Sequence, residues 1–166
     1  LPGSNATGFG DLTVGTRTRV LDESEKTPSY AFAVEAKLPT GGSAVSTGEQ
    51  DFYGTFIVGK TYKKIAFVGN YRLGVLGDPT STGSDLEHGF FVRGRGWIDE
   101  KISVAGELDG QFASGDYDDI VQTIWSAGYL LNPSLMFDVG LSLGLNSAAQ
   151  DYVILAGFTT NFGGIF

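Results

Sequence analysis

Hydrophobic and polar residues alternate along most of this chain with the period of two that is typical of β-strands. The clearest case is segment 134–145, where Leu135, Phe137 and Val139 alternate with Met136 and Asp138. No segment shows the longer period of an amphipathic helix. The pattern predicts an all-β protein with nine strands, over about residues 11–21, 29–38, 51–60, 64–76, 86–98, 101–112, 119–131, 134–145 and 151–166.

The predicted connections alternate between mostly short turns and mostly longer loops. Segments 22–28, 61–63, 99–100 and 132–133 form the first set, and segments 39–50, 77–85, 113–118 and 146–150 form the second. Outer-membrane barrels combine short periplasmic turns with longer external loops. The alternation therefore predicts an up-and-down antiparallel sheet with the first set at the periplasmic side.

Strand length and polarity extend this prediction to a membrane barrel. The segments are about 10–13 residues long, whereas a strand of a soluble protein has about 5–6 and a tilted transmembrane strand needs about 9–11. The chain has no run of about 18 apolar residues that could form a transmembrane helix, so a membrane-spanning form has to be a closed barrel. We expect one domain over residues 1–166, a transmembrane β-barrel with residues 1–10 as a loop.

The last predicted strand ends on an aromatic residue, Phe166, as bacterial outer-membrane barrels do. This predicts a location in the outer membrane of a Gram-negative cell, with the strand recognised by the barrel assembly machinery. Nine strands would leave the first and last running in the same direction, although single-chain bacterial barrels have even strand numbers. We therefore expect at least one further strand before Asp11, in a longer chain. The alternative is eight strands, with the weakly alternating segment 51–60 merged into a neighbour.

Composition excludes several classes of function. A net charge of −8 without a basic run disfavours nucleic acid as a partner. The chain has no cysteine and a single histidine, His88, so no catalytic triad, metal site or cofactor is predicted. Glu107 and Asp109 form a possible carboxylate pair, but neighbouring arginines would keep both ionised, which disfavours acid–base catalysis. We expect a protein that is not an enzyme.

The charged residues of the strands share the face opposite to the apolar one. They predict a charged lumen or constriction that selects solutes, or alternatively a structural network of ion pairs. Basic strands one and five and acidic strand six suggest ion pairs across the interior, with Arg93 facing Glu107. The candidate residues are Arg17, Arg19, Glu35, Lys37, Asn70, Arg72, Arg93, Arg95, Glu107, Asp109 and Asp138.

Three short motifs resemble one family. Segment Gly8–Gly15 contains Gly-Asp-Leu-Thr, segment Ala36–Gly41 contains Lys-Leu-Pro-Thr-Gly, and segment Gly69–Tyr71 reads Gly-Asn-Tyr. With a closing strand that ends in Phe, the chain resembles the C-terminal portion of outer-membrane barrels of the phenol-degradation meta-pathway transporter family. The resemblance implies a larger, even-stranded barrel of about twelve strands. It also implies a pore for small, aromatic or hydrophobic compounds.

Three functions remain open from the sequence. The first is a porin-like channel for passive passage of small solutes, in contact with outer-membrane lipid. The second is a structural barrel whose lumen is plugged or holds a protein partner. The third is a soluble lipocalin-like carrier, which would carry its apolar face inward.

Overall fold

The computed structural model describes residues 8–43, 46–77, 83–115 and 118–161. Within these ranges the secondary structure consists of nine strands and no helix. They are β1 (Leu12–Leu21), β2 (Ser29–Leu38), β3 (Asp51–Tyr62), β4 (Ile65–Gly77), β5 (Ser84–Trp97), β6 (Ile102–Ala113), β7 (Ile120–Asn132), β8 (Leu135–Gly144) and β9 (Tyr152–Thr160). The all-β fold predicted from the alternation is confirmed.

Each strand pairs antiparallel with the next one along the chain, and the nine strands form a single sheet in sequence order. Strands β1 and β9 are its edges, and they do not pair with each other in the part of the chain that the structure describes. Two residues join β3 to β4 and β7 to β8, whereas twelve separate β2 from β3. The connections lie at the two ends of the strands. We call the end with the β1–β2, β3–β4, β5–β6 and β7–β8 connections the short-turn edge, and the opposite end the long-loop edge.

Strand β3 is separate, so the eight-strand alternative is wrong. It pairs with β2 through Phe56 opposite Phe32 and with β4 through Phe56 opposite Tyr71. Its alternation is weak because Tyr53 and Ile57 place apolar side chains on the face opposite to Phe56. Both faces of this strand are therefore partly apolar, and the period-two signal fades.

Strand ends differ from the prediction by a few residues. Strand β5 begins at Ser84 rather than near residue 86, and β9 ends at Thr160. The amide of Asn161 still donates to the carbonyl of Ser134 at 2.9 Å. The predicted continuation of this strand through Phe166 lies outside the described residues.

The two faces of the sheet have opposite character. Large hydrophobic side chains from every strand lie exposed on what we call the apolar face. One such residue from each strand, in order, is Val14, Phe32, Phe56, Phe67, Phe90, Val104, Trp125, Val139 and Ile154. The other, polar face carries the charged residues, and Asp51 and Asp109 there are each only 4% exposed. Water-soluble domains usually bury apolar side chains and expose charged ones, so the arrangement is inverted.

Aromatic rings reinforce the apolar face across neighbouring strands. The ring centroids of Phe32 and Phe56 are 5.1 Å apart, and those of Tyr71 and Phe90 are 5.0 Å apart. Among the described residues, no helix is long and apolar enough to span a membrane.

Candidate functional site on the polar face

The strand register places all the candidate residues on the polar face. The residues from β1 to β8 that share this face are Arg17, Arg19, Glu35, Lys37, Asn70, Arg72, Arg93, Arg95, Glu107, Asp109 and Asp138. They form several groups along the sheet rather than one cluster. Each group has its own pattern of charge compensation.

The first group surrounds Lys37 at the long-loop edge. The Lys37 Nζ atom lies 2.6 Å from Asp51 Oδ2 and 3.7 Å from Asp11 Oδ2, and it donates to Thr47 Oγ1 at 3.1 Å. The Asp51 carboxylate also accepts from the amide of Gly77 at 3.0 Å. The ammonium group therefore joins β2, β3 and the loop between them.

The carboxylate of Asp11 fixes the same loop from the other side. It accepts hydrogen bonds from the Ser46 hydroxyl at 2.7 Å and from the Gly41 amide at 2.8 Å. These two donors, with the smaller effect of the Lys37 ammonium, hold the pKa of Asp11 below its ordinary value. Asp11 lies just before β1, so the start of β1 and the loop after β2 are tied together.

The second group is built around Arg72. Its Nη2 and Nε atoms donate to Glu87 Oε1 at 2.7 and 3.0 Å, and Nη2 also donates to Gln111 Oε1 at 3.2 Å. The guanidinium lies over two rings, with its Cζ atom 4.7 Å from the Tyr53 centroid and 5.2 Å from the Phe91 centroid. Hydrogen bonds and cation–π contacts together hold this side chain in one position.

Side-chain hydrogen bonds continue from this group across the sheet. The Gln111 amide lies 3.4 Å from Asp109 Oδ2, and Gln122 Nε2 donates to the same oxygen at 2.9 Å. The Ser142 hydroxyl then donates to Gln122 Oε1 at 2.9 Å. A continuous network therefore runs from Arg72 on β4 to Ser142 on β8.

The third group contains Arg93 and Arg95. Arg93 faces Glu107 in the register, as predicted, with Nε 4.0 Å from Oε2. Arg95 donates to the Ser103 hydroxyl at 2.8 Å and to Met136 Sδ at 3.0 Å. Its guanidinium also lies 5.2 Å from the Trp97 ring centroid.

A small polar cavity lies between these arginines and β8. Its volume is about 180 Å³, and its lining includes both Arg93 and Arg95 together with Asp138. The Asp138 carboxylate makes no hydrogen bond or ion pair with any described residue. The cavity therefore brings together charges of both signs without pairing them closely.

Among the described residues, the arginines of β1 are not joined to the carboxylates of β6. Arg19 instead pairs with Asp22 in the following turn, at 3.1 Å. Four strands lie between β1 and β6, and with a spacing of about 4.8 Å between strands this is roughly 24 Å along the sheet. An arginine side chain does not span that distance along the sheet, and ion pairs across the interior of a closed barrel stay a prediction.

Asn70 and Glu35, like Arg17 and Asp138, have no polar partner among the described residues. The Asn70 Oδ1 atom is buried and accepts no hydrogen bond within the described residues, because Asn70 lies between Ile57 and Phe91 in the register. Glu35 on β2 faces Gly15 and Tyr53 and forms no ion pair with a described residue. Neither is part of the hydrogen-bond network.

The most important residues that the sequence reasoning missed are Asp51, Glu87 and Tyr53. Glu87 differs from Arg93 by an even number of positions in the same strand, so parity alone could have assigned it to the polar face. Asp51 and Tyr53 fall in the weakly alternating strand, where parity carries little information. In the described ranges, no group of three or more His, Cys, Asp or Glu residues could hold a metal ion.

Comparison with known proteins identifies a family for this chain. The model of the family described as "Putative MetA-pathway of phenol degradation" matches residues 1–162. No curated protein matches the chain.

Proposed function

We propose that this chain, which belongs to the family described as "Putative MetA-pathway of phenol degradation", forms part of the wall of an outer-membrane channel for small solutes. The observation that carries the proposal is the inverted sheet. Phe90 and Val139 are 51% and 60% exposed, whereas Glu87 and Asp109 are 8% and 4% exposed. In a membrane barrel the first pair would contact lipid and the second would line the lumen.

Strand length supports a membrane-spanning sheet. The nine strands have between 9 and 14 residues, and about 9–11 residues are needed to cross the hydrocarbon core at a tilt. The open sheet agrees with the proposal only if more strands complete it, because unpaired backbone groups are costly in lipid. Strands β1 and β9 run in the same direction, so an odd number of further antiparallel strands would close the barrel and give an even total. The family resemblance implies a total of about twelve.

The proposed transport is passive and needs no cofactor or catalytic residue. Solutes would diffuse along the polar face, and the charged residues there would select among them. The family description names phenol degradation, which is compatible with a channel for small aromatic compounds. Lipid would be the partner of the apolar face, and the barrel assembly machinery would recognise the C-terminal segment, as the sequence predicts.

A second candidate is a barrel with a filled lumen that serves a structural role or holds a protein partner. It is favoured by the network from Arg72 to Ser142, because hydrogen-bonded side chains can occupy the interior instead of leaving a passage.

Two measurements on the full-length protein test these candidates. First, we expect extraction from cells to require detergent, and recovery in buffer alone would contradict the membrane location. Second, we expect discrete single-channel currents in a planar lipid bilayer, with a changed conductance for Arg93→Ala. A detergent-requiring protein that gives no current, with or without this substitution, would favour the filled barrel.

A further inference from the structure

A groove at the β1 side of the polar face is the least compensated charged region of the sheet. Its volume is about 530 Å³, within the range of about 300–1,000 Å³ that is usual for small-molecule sites. Its charged lining residues are Arg17 and Arg19, and none of the described carboxylates lines it. The remaining wall includes Ala31, Ile57 and Val68.

Both arginines face alanines, and the nearest carboxylate of β2 on this face, Glu35, lies opposite Gly15 and forms no ion pair with a described residue. Arg17 is opposite Ala33 and Arg19 is opposite Ala31. Arg17 forms no hydrogen bond or ion pair with any residue that the structure describes. Arg19 contacts Asp22, but the two side chains are 71% and 83% exposed, and such surface pairs contribute little.

The other cations of the polar face have partners. Lys37 lies 2.6 Å from Asp51, Arg72 lies 2.7 Å from Glu87, and Arg95 donates to Ser103 at 2.8 Å. Among the described residues, the guanidinium of Arg17 therefore differs from them in forming no hydrogen bond or ion pair. A guanidinium with free donors can bind a carboxylate through two parallel hydrogen bonds.

The floor of the groove is apolar and leaves open space. Ile57 and Val68 supply aliphatic side chains, and Gly59 supplies none. A Cβ atom at Gly59 would lie 2.7 Å from Ser29 Oγ, so a larger residue would displace this hydroxyl and narrow the groove. A ligand that fits has a carboxylate at one end and a compact apolar body at the other.

We propose that the groove between Arg17, Arg19, Ile57 and Val68 binds small organic monocarboxylates with an apolar body, such as aromatic acids. The proposal rests on the proposed channel function, because it makes these anions the preferred solutes. The carboxylate is held by the guanidinium groups, and the apolar body lies over Ile57 and Val68.

The test uses the full-length protein and benzoate as the probe. Benzoate binding is measured by calorimetry in detergent micelles, and channel block by benzoate is measured in planar bilayers. For Arg17→Gln combined with Arg19→Gln, we expect the dissociation constant and the half-blocking concentration to rise about tenfold, since hydrogen bonds to charged groups are lost. Arg17→Lys should retain part of the affinity because it keeps the charge but loses the paired donors.

Lys26→Gln is the control. Lys26 lies in the turn after β1, so this substitution removes a positive charge outside the groove. It should leave benzoate binding unchanged. Benzylamine, which has a similar body and the opposite charge, should not bind. Inorganic phosphate should bind much more weakly than benzoate because it cannot use the apolar floor.

The outcomes separate the groove from the channel. Benzoate binding that depends on Arg17 and Arg19, in a protein that gives no current, would overturn the channel and support the groove as a carboxylate site. A conducting protein whose benzoate affinity is unchanged by the double substitution would overturn the groove and leave the channel standing. Equal affinity for phosphate and benzoate would overturn the assignment of an apolar ligand body, and absence of binding to a conducting protein would overturn the site.

Discussion

The ammonium group of Lys37 and the carboxylate of Asp51 lie 2.6 Å apart and face each other in the register of β2 and β3. Their side chains are 19% and 6% exposed. The two residues flank the twelve-residue connection between these strands. Their ion pair therefore closes the base of the longest described connection and holds it against the polar face.

Lys37→Met is expected to destabilise the protein. Asp51 would keep its buried carboxylate without its cation, and removal of one partner of a buried pair costs roughly 3 kcal/mol. Urea-induced unfolding in detergent micelles measures this loss as a lower free energy of unfolding. Lys26→Met, at an exposed turn position, is the control and should change little. Equal effects of the two substitutions would contradict the structural role of Lys37.

Asp11→Asn is expected to reduce stability in a pH-dependent way. Hydrogen bonds from Ser46 and Gly41 lower the pKa of the Asp11 carboxyl in the folded protein, so the folded state favours the ionised form. This stabilisation is complete above the ordinary carboxyl pKa of about 4 and is lost as pH falls through the lower folded pKa.

The difference in free energy of unfolding between wild type and Asp11→Asn should therefore be largest near neutral pH and shrink below about pH 4. Unfolding curves at a series of pH values measure it. Glu25→Gln, at an exposed position of the β1–β2 turn, is the control and should show a small difference at every pH. A constant difference for Asp11→Asn across the acidic range would show that its hydrogen bonds do not depend on ionisation.

Arg72 and Glu87 are expected to be energetically coupled. Their side chains are 22% and 10% exposed and are joined by two hydrogen bonds. A double-mutant cycle with Arg72→Met and Glu87→Gln should give a coupling energy of at least about 1 kcal/mol. The same cycle on the exposed pair Arg19 and Asp22 should give about 0.5 kcal/mol or less. Similar coupling energies for both pairs would contradict the difference in burial.

We expect Val139→Arg to impair folding into a bilayer and Ile124→Arg to be tolerated. Val139 lies on the apolar face and is 60% exposed, whereas Ile124 lies on the polar face opposite Glu107. In a lipid bilayer, arginine on the lipid-facing side costs roughly 2–4 kcal/mol near the midplane. Arginine at position 124 can instead pair with Glu107.

The fraction of protein that folds into liposomes, measured by the change in gel mobility on heating, compares the two variants. A lower folded fraction for Val139→Arg alone is the expected result. If Val139→Arg folds as well as wild type and remains dispersed in buffer without detergent, the apolar face does not contact lipid.

The fold was largely predictable because side-chain alternation and backbone pairing follow the same period. Segment 134–145 alternates clearly between apolar and polar residues, and the structure has β8 at Leu135–Gly144. Segment 51–60 does not, because Tyr53 and Ile57 give β3 apolar side chains on both faces. The local pattern does not determine whether the sheet closes into a barrel, since closure depends on which strands become neighbours.

The candidate site was predictable as a face but not as a set of contacts. Parity assigns Arg72 and Arg93 to the same side of the sheet, yet it does not show that one is held by Glu87 at 2.7 Å and the other lies 4.0 Å from Glu107. Those distances depend on side-chain rotamers and on stacking, as for Arg72 over Tyr53. Arg17 illustrates the same limit, because an alanine faces it on β2 and it forms no hydrogen bond or ion pair with a described residue.

The inverted sheet also determines which substitutions the protein can accumulate. The apolar face requires hydrophobicity and little else, so Val, Leu, Ile and Phe can replace one another there with small effects on folding. The polar network requires particular donors and acceptors, because Gln122 serves Asp109 and Ser142 at once. Along each strand, positions on the apolar face should therefore change rapidly in evolution and positions on the polar face slowly. A saturation-mutagenesis scan should show tolerance to substitution that alternates with the period of two.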